Sequence, residues 1–96
     1  MKRLTESSLE EKVEEMAALL FTIADIALFT GMDEEELRSE ITCRTSGQLA
    51  TAYRRGQLRT KIRLRFDSLD YALHGSPQAL NEMKEHLADQ YIDENA

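Results

Sequence analysis

With 96 residues, 42% of them apolar, the chain suffices for one small domain, or for a small domain with an oligomerisation hairpin. It excludes a membrane span, since no apolar run approaches ~20 residues, and an internal disulfide, since Cys43 is the single cysteine. The net charge of −6 is unevenly spread: residues 1–45 carry −6, residues 46–75 carry +4 and residues 76–96 carry −4.

A chain this short buries little more than ~60% of its unfolded surface, so self-association is a natural supplement to its core. The N-terminus lacks the apolar core of a signal peptide, and a soluble, cytoplasmic protein without a membrane partner is expected. An acidic chain with one basic element either neutralises that element internally or points it at an anion.

Met1–Glu6 is short and polar and is expected to fray. Ser7 or Ser8 then caps a first helix, with Glu10 or Glu11 three residues on. Leu9, Val13, Met16, Ala17 and Leu20 form its apolar stripe, and Glu10, Glu11, Glu14 and Glu15 its solvated face.

Thr22–Ile41 follows the outline of a helix-turn-helix. Thr22 caps a short helix, Gly31 closes it in the left-handed conformation, and Asp33 caps the next with Glu36 completing a capping box. Ile26, Ala27, Met32 and Leu37 fall where such a unit needs apolar or small residues; the next apolar position expected is 40, where the chain has Glu40 and offers Ile41 instead. The same outline is met by a plain helical hairpin whose glycine is a C-cap. The second helix opens on Asp33, Glu34, Glu35 and Glu36, which suit a helix N-terminus but repel phosphate. Arg38, Ser39, Thr42 and Arg44 are the candidates for DNA contact on this element.

Thr45 or Ser46 caps a long helix over Gln48–His74, ~40 Å if unbroken. Arg55, Arg59 and Arg63 line one edge of it, and Arg54, Lys61 and Arg65 another. No acidic residue lies between Gln48 and Phe66 to neutralise them at i+4, which favours an external anion or a separate acidic surface. The apolar side changes partway along, from Leu49 and Tyr53 to Ile62, Phe66, Leu69 and Leu73, and Gly56 at the switch predicts a kink. The first half is expected to pack on the N-terminal region, and the second on the C-terminal part of the chain or on another copy. Gly75, Ser76 and Pro77 turn the chain into a last antiparallel helix. Its Ala79, Leu80, Met83, Leu87 and Tyr91 are expected to face Ile62, Phe66, Leu69 and Leu73. Asp89–Ala96 is expected to fray.

The expected fold is therefore all-α: a three-helix helix-turn-helix region over 1–45, then a long-helix and C-terminal-helix hairpin over 46–96. No catalytic constellation is legible. His74 and His86 read as surface or satisfied histidines, Cys43 has no partner base, and the acidic run lacks a calcium loop's glycine and spacing. No cofactor and no metal are expected.

The stretch from Ala52 to Phe66 (AYRRGQLRTKIRLRF), with Leu73–Leu80 (LHGSPQAL) and a final amphipathic helix, resembles the small DNA-recognition subunits of phage terminases and their prophage relatives. The matching residues are Ala52, Tyr53, Gly56, Arg59, Leu64 and Phe66, then Gly75, Ala79 and Leu80; with the helix-turn-helix, the resemblance spans Ala18–Gln90. It implies a DNA-binding, oligomeric subunit of packaging or regulation, with a large-subunit partner and no enzyme activity of its own. The competing expectation is a helical adaptor or assembly protein whose basic helix pairs with the acidic faces of the first and third helices, or of a neighbour, without nucleic acid.

Overall fold

The computed structural model of the chain describes residues 7–44 and 46–96, so the expected fraying of Met1–Glu6 and the capping role of Thr45 lie outside the described residues. The fold is all-α. Among the described residues the order is α1 (Leu9–Ala18), α2 (Ile23–Thr30), α3 (Glu34–Thr42), α4 (Gln48–Leu73) and α5 (Pro77–Glu94), with no strand. The chain divides into two compact units between Thr60 and Lys61, inside α4. The division falls beyond the 45/46 boundary expected from charge because the first half of α4 belongs to the core of the first unit.

In that unit the Oγ of Ser8 accepts the Glu11 N–H at 3.2 Å and starts α1. Val13, Met16 and Ala17 are buried, but Leu9 and Leu20 do not continue the stripe. The helix stops at Ala18, and Leu20 turns left-handed with φ 66°. Its N–H donates to the Ala17 carbonyl and the Phe21 N–H to the Met16 carbonyl, both at 3.0 Å. This is a Schellman closure built on leucine where glycine is usual. Leu20 is itself exposed, so its side chain offers little packing to offset the strain. Leu20→Gly is expected to raise stability by ~0.5–1 kcal/mol, read as a higher urea midpoint; a lower midpoint would mean that the side chain contributes more than its conformation costs.

Thr22 Oγ1 accepts the Asp25 N–H at 3.2 Å, Gly31 closes α2 with φ 77°, and Asp33 Oδ2 accepts the Glu36 N–H at 3.1 Å. α2 packs on both α1 and α3. Ile26, Ala27, Leu37 and Ile41 are buried, while Glu40 is half-buried, so the last anchor of α3 sits one residue later than a helix-turn-helix pattern places it. Ala52 joins this core and Leu49 and Tyr53 pack against it, as expected for the first half of α4.

Gly56 has a role that the expected kink did not include. α4 runs unbroken through it, and the glycine is buried against α1. A Cβ built on Gly56 would lie 2.8 Å from the Cβ of Ala17 and 3.0 Å from the backbone nitrogen of Ala18, and would press on the Glu14 carbonyl oxygen. One turn later, Thr60 Oγ1 donates to the Ala18 carbonyl. Glycine here lets two backbones approach.

The second unit is the hairpin of α4 beyond Thr60 and α5. Gly75, with φ 95°, donates to the Ala72 carbonyl at 3.1 Å, and Ser76 N–H donates to that of Tyr71 at 3.0 Å. Ser76 Oγ then accepts the Ala79 N–H at 3.3 Å, with Pro77 opening α5. The chain doubles back far enough for Ser68 Oγ to donate to Glu82 Oε2 at 3.2 Å. α5 continues to Glu94, so Asp89–Glu94, expected to fray, is helical.

The expected seam is met on α5 at Ala79 and Met83 and not on α4. Ile62, Phe66 and Leu73 are 57%, 73% and 76% exposed. The better-covered residues are Ser68, Ala72, Ala79, Met83 and His86. Small side chains let the helices close on that line, and the large apolar ones, about a third of a turn away, stay outside it.

Candidate nucleic-acid interface

The ten side chains expected to meet DNA fall into groups with different surroundings. On α3, Arg38, Ser39 and Thr42 are exposed, and Thr42 Oγ1 spends its proton on the Arg38 carbonyl at 2.7 Å. Arg44 is held by Glu40, Nη1 to Oε1 at 3.0 Å. Asp33, Glu34, Glu35 and Glu36 are exposed at the start of the same helix. A polyanion approaching α3 therefore meets carboxylates before it meets cations.

α4 begins with Arg54, whose guanidinium sits 5.6 Å from the centroid of the Tyr53 ring and donates to Gln57 Oε1 at 3.1 Å. Arg55 lies 3.8 Å from Glu14. Arg59 reaches Glu14 Oε2 at 3.1 Å and Glu15 Oε1 at 2.7 Å. The hydrogen bond and charge of Glu15, with Glu14 adding to them, raise the Arg59 pKa above its ordinary value. These pairs are part-exposed, so each contributes no more than ~1 kcal/mol to folding, but a phosphate reaching Arg59 would have to displace two carboxylates. A hollow of about 400 Å³ beside them, lined by Glu10, Glu11, Glu14 and Arg55, is likewise a poor place for a polyanion.

Lys61, Arg63 and Arg65, in the second unit, are exposed and make no ion pair among the described residues. With Arg54, whose contacts are neutral, these three are the basic residues of α4 that no carboxylate holds among the described residues. Pairing of the basic helix with the acidic face of the first helix was one of the two expectations; which arginines pair was not legible, because the carboxylates that engage Arg55 and Arg59 lie on another helix. The acidic face of α1 was the available signal.

The histidines and the cysteine lie apart along the chain, with these surroundings. His74 Nδ1 is 2.7 Å from the carbonyl of Asp70, His86 is half-buried in the hairpin, and Cys43 is exposed with its Sγ 3.7 Å from Thr42 Oγ1. Among the described residues no cluster of His, Cys, Asp and Glu could hold a metal ion, and no helix is long and apolar enough to cross a membrane.

Compared with known proteins, the chain matches no family model, no curated protein and no solved structure.

Proposed function

We propose that the chain is a DNA-binding, non-enzymatic subunit of the phage or prophage kind, resembling the terminase small subunits and serving a larger partner enzyme in DNA packaging or its regulation. The observation that carries this reading is the run Lys61, Arg63 and Arg65: three exposed cations within five residues of one helix, none paired with a carboxylate among the described residues. Phosphate contact by such side chains orients a protein on DNA without reading sequence. Arg38 and Ser39 on α3 are the side chains suited to base contact.

The second reading is an adaptor or assembly protein that binds no nucleic acid. It is favoured by the pairing of Arg55 and Arg59 with Glu14 and Glu15, which shows that part of the basic helix serves internal packing.

Fluorescence anisotropy of a labelled duplex, across a salt series, separates the two. The test variant is Lys61→Gln, Arg63→Gln, Arg65→Gln, because Arg55 and Arg59 cannot be changed without disturbing α1. With ~0.9 counterions released per phosphate, loss of three contacts is expected to flatten the log–log salt slope by ~3, in a variant of unchanged helix content and solution mass. A wild type that leaves duplex DNA unbound at low salt sinks the DNA reading; a variant that binds with the wild-type slope sinks the assignment of the phosphate contacts to Lys61, Arg63 and Arg65.

A further inference from the structure

The hairpin of residues 61–94 lacks the core that the first unit has. Among the described residues its buried apolar side chain is that of Ala79, whereas the first unit buries Val13, Met16, Ile26, Leu37 and Ile41 with their neighbours. Two helices whose covered line is Ser68, Ala72, Ala79, Met83 and His86 form a single layer, and a single layer gives most of its large apolar side chains nothing to pack on. Helix propensity alone does not hold an 18-residue helix such as α5 firmly in water.

Most of the uncovered residues are on one side of that layer; Leu64, Tyr71 and Ile92 are exposed elsewhere on it. Helical spacing puts Ile62, Phe66, Leu69 and Leu73 on one flank of α4, and Leu80, Leu87 and Tyr91 on one flank of α5. Leu69, Leu80, Met83 and Leu87 line a common groove of about 490 Å³, so the two flanks face the same way. A second groove, which shares Arg65 and His86 with the first, mixes Lys61, Ser68 and Glu82 with Leu64.

We infer that this face binds a second copy of the chain, closing a four-helix bundle from two hairpins, and that the hairpin is firmly folded only when so paired. Three observations select the occupant. The seven flank residues are each between 45% and 76% exposed; at roughly 100 Å² or more apiece they offer ~700–900 Å², the ~800 Å² per partner of a standard interface. The face is two helices wide along the hairpin's length, so its occupant must present a two-helix apolar layer of similar length, and the hairpin is one. Charge then sets the pairing. Within the hairpin α4 brings Lys61, Arg63 and Arg65 against Asp67 and Asp70, net +1, and α5 brings Glu82, Glu85, Asp89, Asp93 and Glu94 against Lys84, net −4. Packing α4 on the partner's α5 puts opposite charges side by side twice about the dyad.

The pairing competes with DNA for Lys61, Arg63 and Arg65, and its test contains no DNA. Sedimentation of the full chain under reducing conditions over a wide concentration range is expected to give twice the 11.0 kDa of one chain, falling towards one on dilution. Helix signal should fall with it, and hydrogen exchange should speed up in 61–94 while the α1–α3 core stays protected. Leu69→Glu, Leu87→Glu should give a monomer with the same loss. A wild type that is monomeric at every concentration overturns the proposal and assigns the face to a different protein. So does a dimer that survives the double substitution, and so does a hairpin whose protection is independent of concentration.

Discussion

Gly56→Ala is expected to destabilise the first unit by ~1–3 kcal/mol, against the sign that helix propensity predicts. In an open helix, alanine gains ~1 kcal/mol over glycine. At position 56 its Cβ would meet the Cβ of Ala17 at 2.8 Å and the backbone of Glu14 and Ala18. Backbone cannot swing aside as the end of a long side chain can, so α1 and α4 must part. Parting them also strains the hydrogen bond from Thr60 to Ala18 and the contacts of Arg59 with Glu14 and Glu15. Urea unfolding followed by far-UV circular dichroism reads the result. A stabilised Gly56→Ala protein would show that the close crossing of α1 and α4 is not there in solution.

The second large effect belongs to Leu37. It is fully buried between α2 and α3, and it shares a core of few large side chains with Ile26, Ile41 and Val13. Leu37→Ala should cost ~2.5–5 kcal/mol, the transfer of the lost methyl groups plus the cavity they leave. For a unit this small, with total stability near the lower end of the ~5–15 kcal/mol range, that leaves much of it unfolded at room temperature. Leu28→Ala, on the exposed side of α2, is the matched control and should change stability by less than ~0.5 kcal/mol. Equal effects at the two positions would mean that α2 and α3 do not pack as described.

What the sequence made legible was local chemistry. Ser8, Thr22, Asp33 and Ser76 cap their helices as their spacing predicts, because a cap needs a side chain and an N–H three residues on. Gly31 and Gly75 take the left-handed closures that glycine makes cheap. Leu20 takes the same closure without that help and left no local mark. What could not be read locally was what crosses what. The role of Gly56 depends on a helix some forty residues earlier in the chain, and so do the partners of Arg59. Scanning α4 for i+4 carboxylates could not find Glu14 and Glu15. In the hairpin, the apolar spacing of Ile62, Phe66, Leu69 and Leu73 was read as the seam, and the smaller Ser68 and Ala72 proved to hold that place.

Cys43 gives the chain a single exposed thiol just past the end of α3. Oxidation in air joins two such thiols from different chains, producing a covalent pair of the same mass as a dimer held by its hairpins. A reductant in the buffer is therefore what separates an artefact of storage from a property of the fold. The same thiol is a chemical handle: a maleimide dye placed there reports on the protein without a mutation and without touching the buried leucines and isoleucines.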